Sequence, residues 1–324
     1  MTSHLSGRHL VGDIGATNAR FALADADGKL SHFASFLCSN HCNLDAAIAA
    51  YLTDVRAPAP RRAVLAVATT PDGDQVRFTN NPWSFSIVHL AQRTGIGDLH
   101  VINDFHANAL ALPYLQNEDV LQIGGGNPAT YAPMAVLGPG SGLGVSACVW
   151  SGERYIALPG EGGHVTMAAG DSREAAVLDI LRARFGHVSA ERLLSGPGIT
   201  NIYASLCVID GLGEAQLTPA AICESALANS DARAAEAIAM FCAMLGTVAG
   251  DVALTIGCRG GIYIAGGIVP RLGSHFAASP FRQRFESKGR FSDYLAAIPT
   301  YVITRHDAAL IGAAALMRAP RTGL

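Results

Sequence analysis

The sequence predicts an α/β protein built of two lobes. Three observations predict it. The chain has 324 residues and is 50% hydrophobic, enough to bury a large core and to form more than one lobe. Strand-like apolar runs feed directly into helical stretches, as where LHVIN at 99–103 meets a helical segment starting at Asp104. The opening VGDIGATNARFAL at 11–23 also returns in form as VLGPGSGLGVSACV at 136–149, each an apolar strand, a Gly-rich corner and another apolar strand. That separation is far too long for a solenoid and reads as a weak internal duplication.

Taken in order, residues 9–15 and 18–24 read as strands, and DADG at 25–28 turns into a third at 30–37. A helix over 44–55, a strand over 62–68, a short strand near 75–78 and a helix beginning near Trp83 follow. The second series has strands near 119–123, 132–138, 143–149 and 154–158, the middle two forming a Gly-rich hairpin. From residue 173 the chain turns helical, with a long Ala-rich run over 231–257, then a strand over 261–265, the corner AGGIVP and a last helix over 307–318. Gly and Pro stand singly at corners, so no flexible linker is expected.

Charge and composition narrow the partners. A net charge of -3 with 15% charged residues leaves no basic footprint for a nucleic-acid backbone. No run approaches the roughly 18 consecutive apolar residues of a membrane span, and no leader-like apolar segment opens the chain, which reads as soluble and cytoplasmic. The seven cysteines lack a C-x-x-C pair and read as reduced core thiols; Cys38 and Cys42 around His41 lack a fourth zinc ligand nearby.

Three Gly-rich corners follow strands: DIGATN at 13–18, GPGSGLG at 138–144 and AGG at 265–267. Glycine permits close backbone approach, so peptide N–H groups can converge on phosphate oxygens; a plain hairpin turn is the alternative for each corner alone. Neither a G-x-x-x-x-G-K-[ST] loop nor a G-x-G-x-x-G after the first strand is present. At the first corner Asp13 stands at a strand end where an apolar residue would pack better, and it suits Mg²⁺ held through water. Gly15, Thr17 and Asn18 complete that corner; Gly138, Gly140, Ser141 and Gly142 form the second, and Gly266 and Gly267 the third. Asp104 sits at a helix start, where the dipole keeps a carboxylate ionised and ready to take a proton, although a simple helix N-cap fits the residue equally well. Glu161 and His164 lie on the Gly-rich turn LPGEGGHV, open enough for a ligand such as a sugar; a zinc pair there would want a helix that the glycines oppose.

Together VGDIGATNARFAL, INDFHANALAL, VLGPGSGLGV, LPGEGGHV, ERLLSGPG and IYIAGGIVPR resemble, in order and spacing, the bacterial glucokinase family of the hexokinase, Hsp70 and actin superfamily. The resemblance covers nearly the whole chain. It implies a two-lobed actin-like ATPase (ribonuclease H-like) α/β fold with an interlobe cleft. The small domain would be 1–114 plus the C-terminal helix segment 305–324, and the large domain 115–304. ATP and Mg²⁺ are implied as partners of the three corners, with Ala265–Gly267 under the adenosine. Asp104 becomes the base, Asn103 a holder of a sugar hydroxyl, and Glu161, His164 and Glu191 further hydroxyl ligands. Glucose is the implied acceptor, with fructose or mannose as alternatives, and closure on the sugar and a homodimer are implied too. A sugar-sensing regulator on the same fold is the rival from another class, but a first strand beginning near residue 9 leaves no room for a helix-turn-helix before it.

Two departures from the family pattern stand out. Ala16 replaces the second Gly of D-x-G-G-T-N, tolerable only if its φ is negative. In ATTPDGDQV at 68–76, Pro71 falls one place later than in the family's C-P-x-x-G-D loop.

Overall fold

The computed structural model describes residues 7–78, 81, 83–213 and 217–318; the ends of the expected small domain, 1–6 and 319–324, lie outside them. The chain divides into two compact units. One comprises the chain up to Leu115, Tyr155–Pro159 and the chain from Arg305; the other comprises Gln116–Arg154 and Gly160–Thr304.

In the first unit, β1 (His9–Ile14), β2 (Asn18–Ala24) and β3 (Leu30–Leu37) form an antiparallel meander, joined by β4 (Arg62–Val67) and β7 (Asp98–Asn103) in the order β3-β2-β1-β4-β7. The strands β1, β4 and β7 are parallel. Alternation along β1 sends Leu10 and Ile14 to one face, against Ile48 and Tyr51 of α1 (Leu44–Asp54), and Val11 to the other, against Leu310 and Ala313 of α12 (Ala308–Met317). Helix α3 (Asp104–Ala111) follows β7 and packs on α12. The hairpin β5 (Gln75–Arg77) and β6 (Ser84–Ser86) precedes α2 (Ile87–Thr94). The helix expected near Trp83 therefore starts later: Val76 pairs with Phe85 across the hairpin, and Ser86 caps α2 by accepting the His89 N–H at 3.1 Å.

In the second unit, β8 (Val120–Ile123), β9 (Met134–Pro139), β10 (Leu143–Trp150), β12 (Gly261–Ile264) and β13 (Thr300–Ile303) lie in the order β10-β9-β12-β13-β8, while β11 (Tyr155–Leu158) groups with the first unit. Here β9, β12 and β13 are parallel, and β10 and β8 are antiparallel to their neighbours. The order β2-β1-β4-β7 of the first sheet is thus repeated as β10-β9-β12-β13, which makes the duplication seen in the sequence a repeat of topology. Strand β13, TYVI, had no place in the sequence expectation, because a four-residue run carries little periodicity and its partners β12 and β8 are remote in the chain.

Helices α4 (Ser172–Phe185), α5 (Gly196–Ile209), α6 (Pro219–Leu227) and α7 (Ala232–Ile256) form the core of this unit with α10 (Phe281–Glu286); α8 (Val269–Leu272), α9 (Ser274–Ala277) and α11 (Ser292–Ala296) are short connectors. Among the described residues α7 is the one helix long and apolar enough to cross a membrane, and 78% of its apolar window is buried inside the fold. It passes that test as a core helix: a Cβ on Gly246 would lie 2.2 Å from the Phe281 carbonyl oxygen, so the missing side chain lets α10 cross it at backbone distance.

Candidate active site

Ile14, Val67 and Asn103 are paired in one row across β1, β4 and β7. The first corner and Asp104 therefore leave the same, C-terminal edge of the three parallel strands, where open α/β sheets bind ligands. The corner is closed by the Gly15 N–H donating to Asn18 O at 2.9 Å, and it is braced from outside. Cys38 N–H donates to Thr17 O at 2.8 Å and the Asn81 side chain donates to Gly15 O at 3.0 Å. Ala16 is absent from the non-glycine residues with positive φ, so its methyl group carries no backbone strain. Asp13 accepts from Arg20 at 2.9 Å, its partner in register on β2.

Burial pushes the Asp104 carboxyl up to about 7, and the charge of Asp13 adds to the rise. Burial raises Asp13 as well, against the pull of Arg20. Desolvation disfavours a lone carboxylate, and a second one nearby disfavours it further. Asn103 is the N-cap of α3: its Oδ1 accepts from the N–H groups of Phe105 (2.8 Å) and His106 (3.2 Å). Its Nδ2 donates to Asp104 Oδ1 at 3.0 Å and to Thr69 O at 3.3 Å. Phe105 N–H adds a bond of 2.9 Å to the same Asp104 oxygen. The capping role weighed for Asp104 thus falls to its neighbour, and Asp104 Oδ2 takes no part in these bonds.

In the second unit the other two corners stand side by side at the C-terminal ends of the parallel strands β9 and β12. Gly266 has φ +84°, and a Cβ there would lie 2.4 Å from Pro139 O, so glycine is required both by the backbone conformation and by its approach to the second corner. Gly140 and Gly267 have open space where a Cβ would stand, and Ser141 is exposed. Glu161 and His164 bracket a single 3-10 turn and are both exposed. Glu191, in the turn Ala190–Arg192, is half-buried, and its Oε2 accepts the Leu143 N–H at 2.9 Å.

Sequence reading passed over Asn81, Arg20 and the Glu191–Leu143 bond. The Arg20–Asp13 pair was accessible from the hairpin register, which sets the two residues opposite one another. Asn81 and Leu143 act across 66 and 48 residues of chain, and no local pattern announces such bonds.

Paired strand–corner–strand units, Gly-rich corners at the ends of parallel strands and a raised carboxyl beside one of them define an actin-like kinase. The family model described as Glucokinase matches residues 10–320. The chain is similar to the glucokinase of Aromatoleum aromaticum, at 51% identity over 94% of this chain and 93% of that one. It is similar to that of Nitrobacter hamburgensis at 47% identity, over 99% of this chain and 100% of that one. Among solved structures, a glucokinase from an Antarctic psychrotroph superposes with TM-score 0.87 at 37% identity, covering 96% of this chain and 98% of that one. The chain belongs to the glucokinase family, whose reaction, ATP-dependent phosphorylation of glucose, is its own. A ROK family transcriptional regulator shares the fold at 17% identity, with TM-score 0.62 over 96% of this chain and 77% of that one, so the fold alone does not separate kinase from regulator.

Proposed function

We propose that the chain transfers the γ-phosphoryl group of ATP to the 6-hydroxyl of D-glucose with Asp104 as the base. The observation that carries this reading is a half-buried residue whose carboxyl is pushed up to about 7 by desolvation, with one oxygen engaged by Asn103 and Phe105 and the other outside those bonds. A base with that value is half ionised near neutrality, close to the optimum for proton transfer. As the O6–P bond forms and the bond from the γ-phosphorus to the β,γ-bridging oxygen breaks, the hydroxyl proton passes to Asp104 Oδ2, and ADP leaves with the bridging oxygen. Asn103 keeps Asp104 oriented. A hexose hydroxyl reaching Asn103 would replace its longest bond, the 3.3 Å one to Thr69. Glu161, His164 and Glu191 serve as further hydroxyl ligands.

Gly15, Thr17 and Asn18, with Gly138, Gly140, Ser141 and Gly142, present backbone and side-chain donors to the phosphates, and Gly266 and Gly267 leave room for the nucleoside. Asp13 would hold Mg²⁺. The fit is chemical: Asp13 and Asp104 are neighbouring carboxylates, both raised by burial, and a cation relieves that strain. Among the described residues no group of three or more His, Cys, Asp or Glu could hold a metal, which suits an ion bound by one carboxylate, waters and phosphate oxygens. Bound there, Mg²⁺ supplies neutralisation of phosphate charge.

The test is ADP release with a panel of hexoses, glucose, mannose and fructose among them. Glucose should turn over fastest. Asp104→Ala should lose about 10²–10⁴ in kcat while still binding glucose in a thermal-shift titration. Near-full turnover by that variant would end the base assignment.

A further inference from the structure

Leu143 is the meeting point of three motifs that lie far apart in sequence. It closes the second corner and opens β10. Its N–H is held by Glu191 Oε2 at 2.9 Å, and a Cβ on Gly142 would stand 2.4 Å from that same oxygen, so the carboxylate lies directly against the corner backbone. Its carbonyl oxygen lies where a Cβ on Gly163 would come within 2.0 Å, so the turn carrying Glu161 and His164 presses on the other peptide group of the same residue. The two turns are themselves paired through the bridge Thr166–Ser189, with Ala190 N–H donating to Val165 O at 2.9 Å and Met167 N–H to Val188 O at 3.0 Å. The far side of the corner is tied as well: Gly196 N–H donates to Gly140 O at 2.8 Å, and Ser195 Oγ, which caps α5, donates to Glu191 O at 2.8 Å.

A carboxylate placed only to read a sugar has no need to spend an oxygen on a backbone N–H of the phosphate corner. We propose that Glu191 is a positioning residue for the nucleotide. By fixing the Leu143 N–H it holds the corner 138–144 in the shape that receives phosphate, and it does so before any sugar is present. The sugar role given to Glu191 above rests on the proposed function; this second role rests on the bond to Leu143 alone. If both hold, one carboxylate serves two ligands. Glucose and nucleotide affinities are then coupled through it, by the same factor in either order of addition.

The experiment separates the two roles by comparing Glu191→Ala with Glu191→Gln in full-length protein, using the non-hydrolysable ATP analogue AMPPNP with Mg²⁺ and no sugar. Gln keeps a carbonyl oxygen that can accept from Leu143 but loses the charge. Calorimetry should show the AMPPNP Kd raised about tenfold in Glu191→Ala, the worth of one charge-assisted hydrogen bond, and restored to within about threefold of wild type in Glu191→Gln. Wild-type AMPPNP affinity in Glu191→Ala, or equal weakening in both variants, would overturn the positioning role. Glucose binding is read separately: a glucose Kd unchanged in Glu191→Ala, which has no side-chain acceptor, removes Glu191 from the sugar site and leaves its hold on the corner standing. Should Glu191→Ala not fold, Glu191→Asp takes its place with the same expectation, since it keeps the charge but falls one methylene short of Leu143.

Discussion

Asn103 caps helix α3 with its side-chain oxygen and, with its side-chain nitrogen, donates to Oδ1 of Asp104 at 3.0 Å. One amide thus does two jobs that a single carboxylate at the helix start could not share. It satisfies the free N–H groups of the helix and leaves the next residue available for chemistry.

Asn103→Asp separates those jobs. Aspartate caps a helix as well as asparagine does, so the melting temperature should change little. The donor to Asp104 is replaced by a like charge, and both changes raise the Asp104 carboxyl further. The acid limb of the pH–rate profile should move up by about one unit, with kcat at pH 7 falling several-fold. An unmoved limb would show that Asn103 does not set the base.

In the wild type, kcat/KM for glucose should fall about tenfold per unit below pH 7 and level off above it, because only the ionised Asp104 accepts a proton. Stability runs the other way. The carboxyl is raised in the folded chain from 3.8 to about 7, so its contribution is fully present below pH 4 and is lost as the pH rises through 7. Asp104→Asn removes that loss. It should melt higher than the wild type at pH 8, by about 5 °C, and show no advantage at pH 4. Parallel melting curves across this range would contradict the burial argument.

Gly312 packs against the helix that carries Asp104, the proposed base. A Cβ there would lie 1.7 Å from the Ala107 carbonyl oxygen, where α12 meets α3. Gly312→Ala should destabilise the chain by about 1–3 kcal/mol through overpacking and, by shifting α3, should lower kcat more than it raises KM for glucose. Wild-type melting and kcat in this variant would show that the two helices can move apart without effect.

Gly266 should matter to the nucleotide. With φ +84° and a Cβ position 2.4 Å from Pro139 O, Gly266→Ala is strained in its backbone and pushes the third corner off the second. The KM for ATP should rise tenfold or more while glucose binding stays near wild type; equal loss of both would point to general unfolding instead.

Much of the fold was legible in the sequence because its signals are local. The meander of β1–β3, the hairpin β9–β10 and the long helix α7 come out within two residues of their expected ends, since alternation and propensity act over a few neighbours. The β6 strand and β13 were not legible. Each owes its conformation to a partner strand: β6 to β5 across the hairpin, and β13 to β12 and β8, which are remote in the chain. At the site, the glycine corners stood out by composition. The bond from the Leu143 N–H to Glu191 was not legible, because the two residues lie 48 apart in the chain.

By itself the sequence determined the class of protein, through six motifs in family order, and the residues proposed for its site: carboxylates, glycine corners and the side chains assigned to sugar hydroxyls. Tertiary structure decided what each group is free to do. It placed Asn103 rather than Asp104 on the helix cap, withdrew the Asp104 carboxyl from water near the charge of Asp13, and laid the Glu191 carboxylate on the backbone of the second glycine corner. The reason is physical. Residue type fixes which bonds a side chain can make, but hydrogen-bond partners and proton affinity depend on what the folded chain brings within a few ångström and on how much water it removes.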